Sequence, residues 1–194
     1  MNVLSDLRDG ERRVTQRVGS WHSSWARRVL SAAETAAERT RLWCAVALAL
    51  GACGGGRGRE AAVTGLAGMT VAELASNAVV KPLCQRRRPP REWFDGRHVD
   101  DRPDSSSFPS GHTAAAVGFT AGVALVRPRV GVILAAPAAA VAAGRVYSGA
   151  HYPSDVVIGS VIGAASAAFV RAALFGAPFT SAPSRRQGSA ADPG

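Results

Sequence analysis

The sequence predicts an all-α protein: a membrane helical bundle of about five spans, preceded by an amphipathic helix. Three observations lead there. Five apolar runs follow one another, separated by polar connections rich in Arg. Hydrophobic residues make up 47% of the 194-residue chain, yet aromatic ones only 6%, so the apolar surface belongs to closely packed small-residue helices. The formal net charge is +9, and the basic residues sit between the apolar runs, a pattern that a membrane explains.

Residues 1–41 form a basic arm. Val14, Val18, Trp21, Trp25 and Val29 recur at spacings of three and four, opposite Arg13, Arg17, Arg27 and Arg28. Such a helix suits a membrane interface, and equally a helix packed on its own domain. The arm lacks the apolar core and cleavage site of a secretory signal. Apolar helices are expected over 42–56 and 61–80, with the glycine-rich stretch 54–59 as a connection. That stretch lacks the Lys-Ser/Thr ending of a phosphate-binding P-loop. Glu73 and Asn77, four apart, are expected to point into the bundle. Pro82 should end the second helix.

The connection 81–108 is the longest and carries Arg86, Arg87, Arg88, Arg91, Arg97 and Arg102, with Trp93 and Phe94 as candidate interface anchors. Arg86, Arg87 and Arg91 read as a membrane-flanking basic cluster. Apolar helices follow over 113–126, 130–144 with Pro137 as a kink, and 155–174, the last capped by Ser154. Residues 177–194, rich in Ser, Pro, Ala and Gly, read as a disordered tail. The domain expectation is therefore an arm over 1–41, a membrane domain over 42–176 and the tail. Cys44, Cys53 and Cys84 have no metal or disulfide spacing and read as small core or interface residues. No zinc-finger, RNP or helix-turn-helix signature points to nucleic acid.

If the helices start and stop together, one mouth of the bundle holds Lys81, Arg88, Arg145, His112, His151 and Asp155. Lys81 is the only lysine in a chain that writes its other basic residues as Arg, by composition bias or by need for a point charge. Pro109-Ser110-Gly111-His112 sits at a helix start, where Ser110 can cap and Gly111 lets an anion approach the backbone N–H groups. Three cations and a helix N-terminus match the non-bridging oxygens of a phosphoryl group. Two histidines suit a nucleophile and a general acid, with a carboxylate to orient one of them. The set does not form a metal-ligand constellation, so chemistry without metal or cofactor is expected.

Lys81-(six residues)-Arg88-Pro89, then Pro109-Ser110-Gly111-His112, then Arg145-(five residues)-His151-(three residues)-Asp155 resemble the three-part signature of the type 2 phosphatidic acid phosphatase superfamily. The resemblance covers about residues 42–175. It implies a membrane lipid phosphate phosphatase in which His151 is a nucleophile forming a phosphohistidine and Asp155 orients it. His112 would be the general acid, and Lys81, Arg88, Arg145, Ser110 and Gly111 would bind phosphate. The implied substrates are phosphatidic acid, phosphatidylglycerol phosphate and polyprenyl phosphates or diphosphates, met at the bilayer. The third motif usually opens with Ser, and Gly144 stands there instead, which removes one hydroxyl contact to phosphate. The superfamily also contains vanadate-dependent haloperoxidases, which resemble larger soluble proteins. A non-catalytic membrane module binding anionic lipid is the remaining alternative, and in it His112 and His151 would be replaceable.

Overall fold

The computed structural model describes residues 3–21, 23, 24, 28, 30, 40–94 and 105–176. Among these it is helical, with no strands. The elements are α1 (Val3–Gly19), α2 (Arg41–Cys53), α3 (Gly55–Leu74), α4 (Gly111–Ala124), α5 (Pro128–Tyr147) and α6 (Pro153–Phe175). Helix α3 runs on through a π-helical stretch, Ala75–Val80, into a last turn, Lys81–Leu83. The expected tail over 177–194 lies outside the described residues.

Helix α4 is the centre of the bundle, packed against α3, α5 and α6. Its Phe119 and Val123 are buried with Trp43 of α2, Met69 of α3 and Leu134 and Val141 of α5. The Trp43 and Phe119 rings lie 5.2 Å apart at 43°, a tilted pair contributing about 0.5–1.5 kcal/mol beyond its area. Elsewhere glycine decides the packing. A Cβ on Gly159 would stand 2.5 Å from the Ser110 carbonyl oxygen, and one on Gly163 2.5 Å from that of Ala114. Helices α4 and α6 can therefore touch backbone to backbone, the contact that binds helices in lipid, where tails are as apolar as side chains.

The spans Gly55–Leu83, Pro128–Tyr147 and Pro153–Phe175 are long and apolar enough to cross a membrane. Arg41–Cys53 is a shorter apolar helix. Leu48, Val132, Ile133, Val161 and Phe169 are exposed on the outside of the bundle, where lipid tails would meet them. The chain is a multi-pass membrane protein.

Several elements differ from the sequence reading, each for a physical reason. The glycine-rich stretch is not a connection: α3 begins at Gly55, and only Gly54 bends the chain. A Cβ on Gly58 would lie 2.2 Å from the Leu50 carbonyl oxygen, so the glycines let the first turn of α3 fold onto the end of α2. Pro82 does not stop the helix at Lys81. A wider π turn precedes it, a register that relieves the clash between a proline ring and the preceding turn. Glu73 is exposed and not turned into the bundle, while Asn77, though exposed, sets its side chain against Gly111 at the start of α4. Cys44 and Cys53 are also exposed, and Phe94 is buried where an interface anchor was expected. Tyr152, not Ser154, is the N-cap of α6.

Helix α1 ends at Gly19, so the expected stripe does not continue along one helix; Trp25 and Val29 lie outside the described residues. Val14 and Trp21 are exposed, and the buried face runs through Thr15 and Gly19. Gly19 meets the short turn Arg91–Trp93, where a Cβ would sit 2.1 Å from the Trp93 carbonyl oxygen.

The two ends of the bundle are distinct. At one end Arg127 Nη2 donates to the Gly54 carbonyl at 2.6 Å, tying the α2–α3 turn to the α4–α5 turn. The other end gathers the C-terminus of α3, the N-termini of α4 and α6 and the C-terminus of α5.

Candidate active site

The site is built where the starts of α4 and α6 meet. Ser110 caps α4 by accepting from the Thr113 N–H at 3.4 Å, as its position before an apolar run predicts. Its hydroxyl also shares a 2.9 Å hydrogen bond with the Thr113 hydroxyl, so this side chain is spent on the helix start and is buried. The Ser110 N–H donates to the Asp155 carbonyl at 3.0 Å, setting the two helix starts level with each other. Gly111 is pressed against Asn77, whose Oδ1 would lie 2.7 Å from a Cβ there.

His151 is buried on the connection before α6, outside the spans. Its Nδ1 lies 2.6 Å from the Ser107 carbonyl oxygen. A carbonyl only accepts, so in the neutral ring Nδ1 carries the proton and Nε2 keeps the lone pair. Asp155 Oδ2 lies 3.7 Å from the same Nδ1, too long for a direct hydrogen bond but close enough to favour a developing imidazolium. Burial pushes the His151 pKa below its ordinary value, opposed by Asp155 and the Ser107 carbonyl and reinforced by the nearby charge of Arg88.

The Asp155 carboxylate is fully buried. Its Oδ2 accepts the Tyr152 N–H at 2.9 Å, closing the first turn of α6, and its Oδ1 accepts Arg86 Nη1 at 2.7 Å. Arg88 ties two loops together, donating through Nη1 to the Ala150 carbonyl at 2.7 Å and through Nε to the Ser105 carbonyl at 3.2 Å. Arg145 is buried in the last turn of α5, one residue class that the sequence had placed in a connection. His112 is exposed in the first turn of α4, within electrostatic reach of Arg145, His151, Lys81 and Arg88. Lys81 ends α3 beside a cavity of about 1010 Å³ that Arg88, Asn77, Gln85 and Ser105 also line.

The sequence-predicted residues Lys81, Arg88, Ser110, Gly111, His112, Arg145, His151 and Asp155 thus gather at one end of the bundle. Ser110 enters it through its backbone and cap, not through a free hydroxyl. Three residues there escaped the sequence reading. Ser107 acts through its main-chain oxygen, for which residue type carries no signal. Arg86 was read as membrane-flanking, yet it binds Asp155. Glu11, from α1, meets Arg86 with Oε2 at 2.5 Å.

An all-helical, multi-pass membrane protein with cations, two histidines and a carboxylate at one mouth defines the class. A profile of the PAP2 superfamily matches residues 62–177, and the chain belongs to that superfamily. The crystal structure of the first transmembrane PAP2-type phosphatidylglycerolphosphate phosphatase from Bacillus subtilis matches with a TM-score of 0.63. That match covers 86% of this chain and 85% of the other at 20% identity, a likeness of fold. A decaprenylphosphoryl-5-phosphoribose phosphatase of Mycobacterium tuberculosis is 38% identical over 118 residues, 59% of this chain and 61% of that protein. A lipid A 1-phosphatase of Rhizobium johnstonii is 48% identical over 58 residues, 30% of this chain and 24% of that protein. The chain therefore spans about a quarter of the length of the lipid A 1-phosphatases it matches.

Proposed function

We propose that this protein is an integral-membrane lipid phosphate phosphatase that hydrolyses a phosphomonoester or diphosphate through a phosphohistidine at His151. The observation that carries the reading is the Nδ1 contact of His151 with Ser107, which leaves Nε2 as the nucleophilic nitrogen among Lys81, Arg88, Arg145 and His112. The substrate class follows from the setting: a cationic cavity at one end of apolar helices meets an anionic head group while the tail stays in lipid. Phosphatases of phosphorylated lipids among the matched proteins support the same class.

In this mechanism Nε2 attacks phosphorus and forms a P–N bond as the P–O bond to the lipid breaks. Desolvation and the surrounding cations push the His112 pKa down to about 4, and the negative charge of the bound phosphate favours its protonated form. In that form it gives its proton to the departing oxygen. Lys81, Arg88, Arg145 and the backbone N–H groups at Gly111 neutralise the three remaining oxygens, whose charge grows in the transition state. The Asp155 carboxylate stabilises the positive charge that His151 acquires. Water, losing a proton to His112, then attacks phosphorus, the P–N bond breaks, and inorganic phosphate leaves. Residues 42–176 form the catalytic domain in this proposal, and no metal or cofactor takes part.

The test is phosphate release from phosphatidic acid, phosphatidylglycerol phosphate and polyprenyl phosphates and diphosphates by detergent-purified protein in EDTA. Release by the wild type, lost in His151→Ala, is the expected result and ranks the substrates. Equal, absent release in both proteins sinks the reading.

A further inference from the structure

Helix α1 reaches the reaction centre through one side chain. Glu11 is largely buried, and both of its oxygens are engaged. Its Oε1 accepts the Ser154 N–H at 3.1 Å, one of the unpaired donors at the start of α6, and also the Ser154 hydroxyl. Its Oε2 meets Arg86 Nη2 at 2.5 Å. The other arm of that guanidinium, Nη1, donates to the Ser154 hydroxyl and to Asp155 Oδ1, each at 2.7 Å. The Tyr152 ring lies beneath, with its centroid 4.1 Å from the Arg86 carbon. Arg86 is thus fixed on three sides, between a carboxylate from the first helix and one from the last.

The arrangement has an electrostatic consequence for the imidazole. Asp155 helps His151 only as far as its negative charge is felt there. Arg86, bound directly to Asp155, opposes that charge at close range. A carboxylate on the far side of Arg86 offsets the guanidinium, so the three groups together carry one negative charge rather than none. We propose that Glu11 is a positioning residue for the reaction: through Arg86 it fixes the Asp155 carboxylate and preserves its effect on His151. This rests on the roles proposed for His151 and Asp155.

Other charges face the same region and enter the test. Arg88 acts on both Asp155 and His151, and Arg145 on Arg88. Arg12 of α1 acts on Tyr152, and His112 lies within reach of His151. None of these is altered by Glu11→Gln, which keeps the size of the side chain and an acceptor for Ser154. Burial works against the Arg86 charge, and its hydrogen bonds to Glu11 and Asp155 outweigh this and raise its pKa. A guanidinium keeps its proton in proteins whatever its neighbours, so Arg86 stays charged when Glu11 is neutralised.

Four full-length proteins form the experiment: wild type, Glu11→Gln, Asp155→Asn and the double variant, each checked by thermal unfolding in detergent. On the most rapidly hydrolysed lipid phosphate, Glu11→Gln is expected to lower kcat about tenfold with KM within about twofold. Adding Glu11→Gln to Asp155→Asn should cost little more, because the charge that Glu11 serves is already gone. An equal fall in both backgrounds, or a kcat within twofold of wild type, overturns the proposal. The His151 titration followed by NMR gives a readout independent of turnover. Its midpoint should move to lower pH in Glu11→Gln, and an unmoved midpoint overturns the proposal. Absence of phosphate release from the wild type is a different result: it removes the phosphatase reading, and the NMR titration still decides whether Glu11 acts on His151.

Discussion

His151 and Ser107 are joined by a 2.6 Å contact between the imidazole Nδ1 and a main-chain oxygen, 44 residues apart in sequence. The carbonyl, not the nearby carboxylate, selects which ring nitrogen is free. In the proposed mechanism Asp155 is left to stabilise charge. This division of labour separates the effects of substitutions that a simple His–Asp pair would merge.

Replacement of Asp155 by Asn keeps the capping contact with Tyr152 and removes the charge. The ring should keep its tautomer, because Ser107 sets it, while stabilisation of the imidazolium is lost. We expect kcat to fall on the order of 10²–10⁴-fold, with the lipid still bound. A KM rise with kcat unchanged would contradict this assignment.

The pH profile carries a sign that can be checked. In the proposed mechanism His151 must be neutral to attack, and burial holds its pKa below the ordinary value of about 6.5. The acid limb of kcat/KM belonging to His151 should therefore lie below that value. Asp155→Asn removes contributions that raise the pKa, so the limb should move further to the acid side. Comparing the two proteins on one substrate cancels the titration of the substrate phosphate, and a shift to higher pH would count against the model of the site.

Ser110 offers a test of the cap against a direct phosphate contact. Its hydroxyl is committed to Thr113, so Ser110→Ala should destabilise the protein by about 1 kcal/mol. Turnover at saturating substrate should change little. Thermal unfolding and KM measured on the same preparation separate the cases, since a direct phosphate ligand would show itself as a large rise in KM.

Gly163 is the packing test. A Cβ there would stand 2.5 Å from the Ala114 carbonyl oxygen and 2.8 Å from the Gly118 nitrogen. Gly163→Val should force α6 away from α4 and cost about 1–3 kcal/mol, read as a lower midpoint of unfolding. Activity should fall with it, since the starts of these helices hold His112 and Asp155.

The helices were legible because their apolar runs are long and their interruptions few. The motif residues were legible because Lys81, Arg88, His112, Arg145, His151 and Asp155 stand in the order and spacing of the superfamily's three-part signature, in and beside the connections between apolar runs. What escaped was work done by backbone or by distant chain. Ser107 contributes an oxygen that any residue type possesses. Arg86 stands beside Arg87 and Arg88, and nothing in such a run says which guanidinium turns inward. Glu11 lies 75 residues before its partner, in an arm whose periodicity pointed to its valines and tryptophans. The glycines at 54–58 were misread because a crossing of two helices and a loop ask for the same residue.

The bond from the Ser110 N–H to the Asp155 carbonyl has a consequence for biogenesis. It joins the start of α4 to the start of the last helix, so the reacting groups come into register only after α6 has entered the bundle. A nascent chain that has inserted α3 and α4 already displays Lys81, Arg88 and His112, but it has no His151 and no Asp155. Such a chain holds anion-binding groups without a nucleophile. On the proposed mechanism, competence for hydrolysis would therefore appear only once α6 has joined the bundle, and a chain still lacking α6 there would leave lipid phosphates intact.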